Sequence, residues 1–392
     1  MKPYSELLSR TVTELEPSGI RKFFDILGEM KDVISLTVGQ PDFVTPWHIR
    51  EAGIKSLEEG RTYYTSNRGL SELRGEISSY LSRRFGLEYD PTSEITVTVG
   101  GSEAIDIAIR TVCNPGDEVI IPVPCFVCYE PLVKSAGGVP VLLETKLCDN
   151  FKIKPEELSA LITEKTKLLI LPYPNNPTGA VMTGEELEGI AEVLRGTDIL
   201  ILSDEIYAEL TYERRHVSIA SLDGMRERTI LVSGFSKAYA MTGWRLGYVC
   251  APAPITHELF KLHQYSIMCA PVTSQYAAVE ALRAGDSDIE MMKAEYNRRR
   301  RYLLSGLREL GIDCFTPEGA FYVWPDIRKF GLSSEKFCER LLYEGGVAIV
   351  PGTAFGKCGE GFARISYAYS VKHLMMALDK IGAFVESLRG EK

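Results

Sequence analysis

From Ile95 to Ala251 the sequence alternates short apolar, β-branched runs with helical stretches, and few folds accommodate that alternation. ITVTVG (95–100) reads as a buried strand stopped by glycine. DEVIIPVP, GVPVLLET, TKLLILPYP, DILILSDE and TILVSGFS read the same way, and WRLGYVCA makes a seventh. Helix signals fall between them. GSEAIDIAIRTVC opens with Ser102 as its expected N-cap, and Pro155 stands at the first position of another helix. Thr183 with Glu186 spells a capping box for a third. The pattern predicts an α/β fold with a mostly parallel, doubly wound sheet of seven strands.

The pattern changes near Ala284-Gly285-Asp286. A helix over about 288–310 carries Ile289, Met292, Tyr296, Leu303 and Leu307 on one face. Beyond it GAFYVW, GVAIVPG and GFARISYA read as short strands, with helices at 333–344 and 370–388. At roughly 150 residues per domain, a chain of 392 residues suits two or three domains. The expected division is a large α/β domain over 46–285 and a small α+β domain from 286–392, onto which residues 1–45 fold back.

In open α/β sheets, ligands bind beyond the carboxyl ends of the strands. Four polar clusters fall there: Gly100-Gly101-Ser102, the stretch Asn175-Asn176-Pro177-Thr178-Gly179, Asp204 with Tyr207, and Ser233 to Lys237. Each has an ordinary reading alone. The first two are turns, Asp204 caps a helix, and Lys237 is a surface lysine. Their conjunction on one rim changes the balance.

A glycine-serine turn at a helix N-terminus offers N–H groups to an anion. Arg245, eight residues past Lys237, can clamp the same anion bidentately. A lysine among neutral groups near a second cation has a lowered pKa and can form a Schiff base with an aldehyde. An aspartate can hold a pyridinium N–H, and a phenol and an amide can bond a ring hydroxyl. Phosphate, aldehyde, pyridine nitrogen and phenolic oxygen together describe pyridoxal 5′-phosphate.

YTSNRGLSELR (64–74), PNNPTG (174–179), SDEIY (203–207), SGFSKAYAMTGWRLGY (233–248) and ARISYA (363–368) resemble, in order and spacing, the blocks of the class I aminotransferases. These are pyridoxal-phosphate enzymes of fold type I, and the resemblance runs from about Gly39 to Ala368. It implies Lys237 as the Schiff-base lysine, Asp204 on the pyridine nitrogen, and Tyr207 with Asn176 on the ring hydroxyl. Gly101, Ser102, Ser236 and Arg245 would hold the phosphate, Ser236 being preferred over Ser233. Phe126 would stack on the ring. Arg364 and the backbone of Gly39 would bind the substrate carboxylate. Tyr64, with Tyr63 its competitor, would reach the phosphate of a neighbouring subunit, which implies a homodimer with shared active sites. The implied activity is ping-pong transfer of an amino group between an L-amino acid and a 2-oxo acid, 2-oxoglutarate being the usual acceptor.

Two alternatives keep part of this reading. A carbon–sulfur β-lyase on the same fold would share the cofactor residues. A ligand-sensing regulator would need an added DNA-binding module. The net charge of −9 argues against nucleic acid or an anionic membrane as partner. MKPYSELLSR lacks an apolar signal core, no uncharged apolar run reaches membrane length, and nine scattered cysteines suit a reducing cytoplasm. No metal site is expected, the Cys125-x-x-Cys128 pair having no partner at zinc spacing. Arg298 to Arg301 read as a solvated helix face or as intersubunit ion pairs. For the substrate side chain, Arg21, Arg68 and His263 are candidate cations, while Ile20 to Phe24 and Phe355 are candidates for an apolar pocket. The expected donor is aromatic, aspartate or broad, and the pocket leans toward aromatic or broad specificity.

Overall fold

The computed structural model describes residues 2–17 and 33–390. Its largest sheet contains all seven expected strands: β2 (Ile95–Thr98), β3 (Glu118–Val123), β4 (Val139–Glu144), β5 (Thr166–Leu171), β6 (Leu200–Asp204), β7 (Thr229–Gly234) and β8 (Gly247–Cys250). Their order is β2-β8-β7-β6-β5-β3-β4. Only β8 runs against its neighbours, lying antiparallel to both β2 and β7. The near-continuous apolar strands are explained by burial on both faces. Leu168 and Ile170 pack in one cluster with the helix Gly100–Val112. Leu169 and Leu171 pack in another with the helix Gly184–Leu194.

The tail forms β9 (Tyr322–Val323), β10 (Val347–Ala348), β11 (Val350–Pro351) and β12 (Ala363–Ser366), with helices Asp286–Glu309, Ser334–Tyr343 and Val371–Gly390. β11, β12 and β9 make an antiparallel sheet, and β12 carries Arg364. Near the start of the chain, β1 (Ile34–Ser35) pairs in parallel with β10. The tail also meets the Asn175–Gly179 turn: the N–H groups of Glu318 and Gly319 both donate to the carbonyl of Gly179.

The Thr183–Glu186 capping box and Pro155 at its helix start are present. Ser102 is not an N-cap. The helix begins at Gly100, and the Glu103 carboxylate instead accepts from the N–H of Val99, the capping residue, at 2.5 Å. The arginine run also departs from expectation. Arg299 and Arg300 are buried and paired within the chain, Arg299 with Asp42 (2.7 Å) and Glu295 (2.8 Å), Arg300 with Glu213. The helix turns these two residues inward, where buried guanidinium groups need carboxylates. Arg298 stays on the surface beside Glu295.

The reversed strand β8 lies tight against the helix start. A Cβ on Gly247 would sit 2.6 Å from the Gly100 carbonyl carbon and 2.7 Å from the Gly101 nitrogen. Because both obstacles are backbone, Gly247→Ala is expected to destabilise the protein by about 1–3 kcal/mol. A urea denaturation midpoint equal to wild type would contradict this.

Candidate active site

A cavity of about 370 Å³ opens at the carboxyl-end rim of the large sheet. Gly39, Gly101, Ser102, Phe126, Asn176, Asp204, Tyr207, Ser236, Lys237, Arg245 and Arg364 all line it. Parallel pairing explains part of this convergence. Asp204 ends β6, Lys237 lies just past the end of β7, and the helix starting at Gly100 follows β2. The reversed β8 explains Arg245. Gly247 pairs with both Thr98 and Gly234, so β8 starts at the rim where β2 and β7 end. Arg245, just before that start, returns to the cavity that Lys237 enters. A Cβ on Gly100 would lie 2.7 Å from Arg245 Nη2, so glycine at the helix start leaves room for the guanidinium.

Lys237 Nζ donates to the Gly39 carbonyl at 2.6 Å. Burial, then the positive charges of Arg364 and Arg245, lower its pKa to about 8, against a smaller opposing pull from Asp204. Asp204 is buried, and burial raises its pKa. It is held by the Tyr129 hydroxyl, which donates to Oδ2 at 2.7 Å, and by the Ile206 N–H, which donates to Oδ1 at 3.2 Å. These two donors favour the ionised carboxylate.

Arg364 is fully enclosed. Nη1 donates to Asn176 Oδ1 at 2.9 Å and Nη2 to the Thr37 carbonyl at 2.6 Å, while Nε has no protein partner. Its guanidinium lies over the rings of Tyr322 (4.5 Å) and Phe355 (4.7 Å). Burial lowers its pKa. The neighbouring Asn175 is used by the turn itself, its Oδ1 accepting from Thr178 N and Oγ1. That leaves Asn176 to face the cavity. Ser233 is likewise occupied, its Oγ donating to the Glu205 carbonyl at 3.4 Å, while Ser236 faces the cavity.

Tyr64, expected to reach a neighbouring subunit, is 77% exposed and lies outside this chain's own cavity, as does Tyr63. Other expectations find no place in the cavity. Arg68 stacks on Phe260, and His263 is buried between Glu103 (2.6 Å) and the Asn67 carbonyl (2.8 Å), so neither offers a cation to the cavity. Phe355 backs Arg364 from the interior rather than lining the cavity. Arg21 and Ile20 to Phe24 lie outside the described residues. Cys125 and Cys128 are free thiols whose burial raises their pKa. Among the described residues no cluster of His, Cys, Asp and Glu could hold a metal ion. Sequence reasoning missed Tyr129 and Tyr322. Tyr129 opens the helix Tyr129–Ser135 three residues after Phe126, a weak signal. Tyr322 offered only strand alternation.

The family model described as aminotransferase class I and II matches residues 31–381. The chain belongs to this family. It is 47% identical to an aspartate aminotransferase of Pyrococcus abyssi, over 94% of this chain and 95% of that protein. It is 43% identical to aromatic-amino-acid aminotransferase 2 of Thermococcus litoralis, over 95% of this chain and 97% of that one. The solved structure of Thermus thermophilus aspartate aminotransferase with maleate superposes with a TM-score of 0.92 at 38% identity, covering 98% of this chain and 100% of that one. The fold is therefore that of the type I aminotransferases, and the protein is a pyridoxal-phosphate-dependent aminotransferase acting on amino acids and 2-oxo acids.

The donor set of this aminotransferase fits that cofactor. A lysine with a lowered pKa can take an aldehyde, a buried carboxylate a ring N–H, and an arginine over a helix start a phosphate. The electrostatics make one prediction. As pH rises through about 8, Lys237 loses its proton and becomes a reactive amine. In cofactor-free protein, the labelling rate of Lys237 by an amine reagent should rise about tenfold per pH unit below that midpoint and level off above it. Arg364→Leu, which removes a neighbouring positive charge, should move the midpoint up. A wild-type midpoint near the ordinary lysine value would refute this picture.

Proposed function

We propose that Lys237 is the cofactor-bearing amine, and that the other cavity residues divide the remaining work as follows. Asp204, steadied by Tyr129, holds the ring nitrogen in its protonated form. Tyr207 and Asn176 hold the ring oxygen. Gly101, Ser102, Ser236 and Arg245 hold the phosphate, and Phe126 covers the ring. Bound there, pyridoxal phosphate supplies an electron-withdrawing ring that acidifies the amino acid's Cα–H. Arg364 and Gly39 seat the substrate carboxylate and so orient Cα toward Lys237. Lys237 Nζ, once released, is the base that takes the Cα proton. The observation that carries this reading is the meeting of Lys237, Asp204, Arg245 and Arg364 in one cavity.

The donor class we infer is aromatic or broad, with 2-oxoglutarate as acceptor. Val38, Ile105, Ile206 and Phe126 give the cavity an apolar wall. A panel of amino donors against 2-oxoglutarate, pyruvate and oxaloacetate tests this. An absolute requirement for acidic donors would overturn it. Lys237→Ala should lower turnover by at least about 10²–10⁴-fold, the usual contribution of a general base. Borohydride treatment should then no longer fix the cofactor to the protein. Retained turnover with retained fixation would sink the assignment.

We also propose a homodimer in which Tyr64 completes the partner's phosphate seat. Tyr63, Tyr64, Trp47 and Tyr265 are exposed, as the edge of such an interface requires. Tyr64→Ala is expected to weaken cofactor binding. Mixing Tyr64→Ala with Lys237→Ala protein should restore about a quarter of wild-type sites if dimers exchange freely, because only mixed dimers hold one intact site. No recovery on mixing, with exchange verified, would rule the shared site out.

A further inference from the structure

Tyr322 occupies an unusual position. It comes from β9, its side chain is buried, and it touches three of the groups assigned above. Its hydroxyl lies 2.8 Å from the Tyr207 hydroxyl. Its ring face lies against the Arg364 guanidinium at 4.5 Å. It also closes over Gly39, where a Cβ would come within 2.2 Å of the phenol oxygen. Gly39 in turn supplies the carbonyl that accepts from Lys237.

We propose that Tyr322 is a positioning residue that seats Arg364 with its ring and aims the Tyr207 hydroxyl at the cofactor ring oxygen with its own. The inference rests on the roles given to Tyr207 and Arg364 above. A phenol has one proton to donate. Between two phenols in contact, the more acidic donates and the other keeps its proton for a third partner. The guanidinium against its ring stabilises charge on Tyr322, which makes it the better donor. Burial raises the pKa of both phenols and the charge of Arg364 lowers both, but it is the Tyr322 ring that the guanidinium lies over. In the proposed arrangement Tyr322 donates to Tyr207, and the Tyr207 proton points onward. The carboxylate seat and the ring-oxygen seat thus share one side chain. Glycine at 39 is the condition for it, since any side chain there would push the phenol away.

The test uses pyridoxal-phosphate-loaded protein and the pH at which its visible absorbance changes. A hydrogen bond to an ionised ring oxygen favours the ionised form, so weakening that bond raises the midpoint. Tyr322→Phe should raise it by about half a unit to one unit. In a Tyr207→Phe background, adding Tyr322→Phe should shift it no further, because the two act in series. Tyr322→Phe keeps the ring on Arg364 and should leave KM for the amino donor within about twofold, whereas Tyr322→Leu should raise KM roughly 3- to 30-fold. Gly39→Ala gives an independent arm. It should raise the midpoint in wild type and have a smaller effect once the Tyr322 hydroxyl is gone. If Tyr207→Phe moves the midpoint and Tyr322→Phe does not, the role of Tyr322 is wrong and that of Tyr207 stands. If Tyr207→Phe leaves the midpoint unmoved, both fall.

Discussion

Among the described residues, three cations, Lys237, Arg245 and Arg364, and one carboxylate, Asp204, line the cavity. Like charges in a poorly screened interior repel, and the effect is visible on Lys237, whose proton is loosened by burial and by both arginines. A cavity of this composition suits anionic ligands. The cofactor and substrates of a transaminase bring a phosphate and a carboxylate, both anionic. The same repulsion that makes the site costly to bury makes Lys237 a competent amine near neutral pH.

The sheet supplies the geometry for that charge set. Parallel strands deliver the ends of β2, β6 and β7 to one rim, but parallel order alone would not return Arg245 to it. The reversal of β8 between β2 and β7 does so, and the price is backbone contact so close that glycine is required at 247. The place of Arg245 beside the helix start and Lys237 is therefore a consequence of one strand's direction.

Arg364 is placed differently. Arg364 stands on a short strand of the tail, bonded to Asn176 from the large sheet's rim and to Thr37 from the segment after β1. Its guanidinium lies over the rings of both Tyr322 and Phe355. Isolated, a guanidinium this deeply buried would be strongly disfavoured. Packed against aromatic faces and tied to oxygen acceptors, it keeps its orientation.

Local pattern determined much of this protein. Apolar runs of strand length marked all seven strands, and the Thr183–Glu186 and Pro155 signals marked two helix starts, because these depend on neighbours within a turn or two. The residue types at the strand ends, read together with the resemblance of their blocks to a known family, pointed to the cofactor and to eleven of the residues that line the cavity. What the tertiary structure alone decided was facing. Tyr207 meets Tyr322 across 115 residues of chain, Arg364 meets Asn176 across 188, and Lys237 meets Gly39 across 198. No periodicity reports such contacts, so Tyr129 and Tyr322 went unseen, and Arg299 and Arg300 read as solvated although they are buried. Arg68, His263 and Phe355 remained plausible neighbours of the substrate until packing turned them elsewhere. A side chain's type is a local property, but the cavity it enters is set by which distant strands and helices pack against its own.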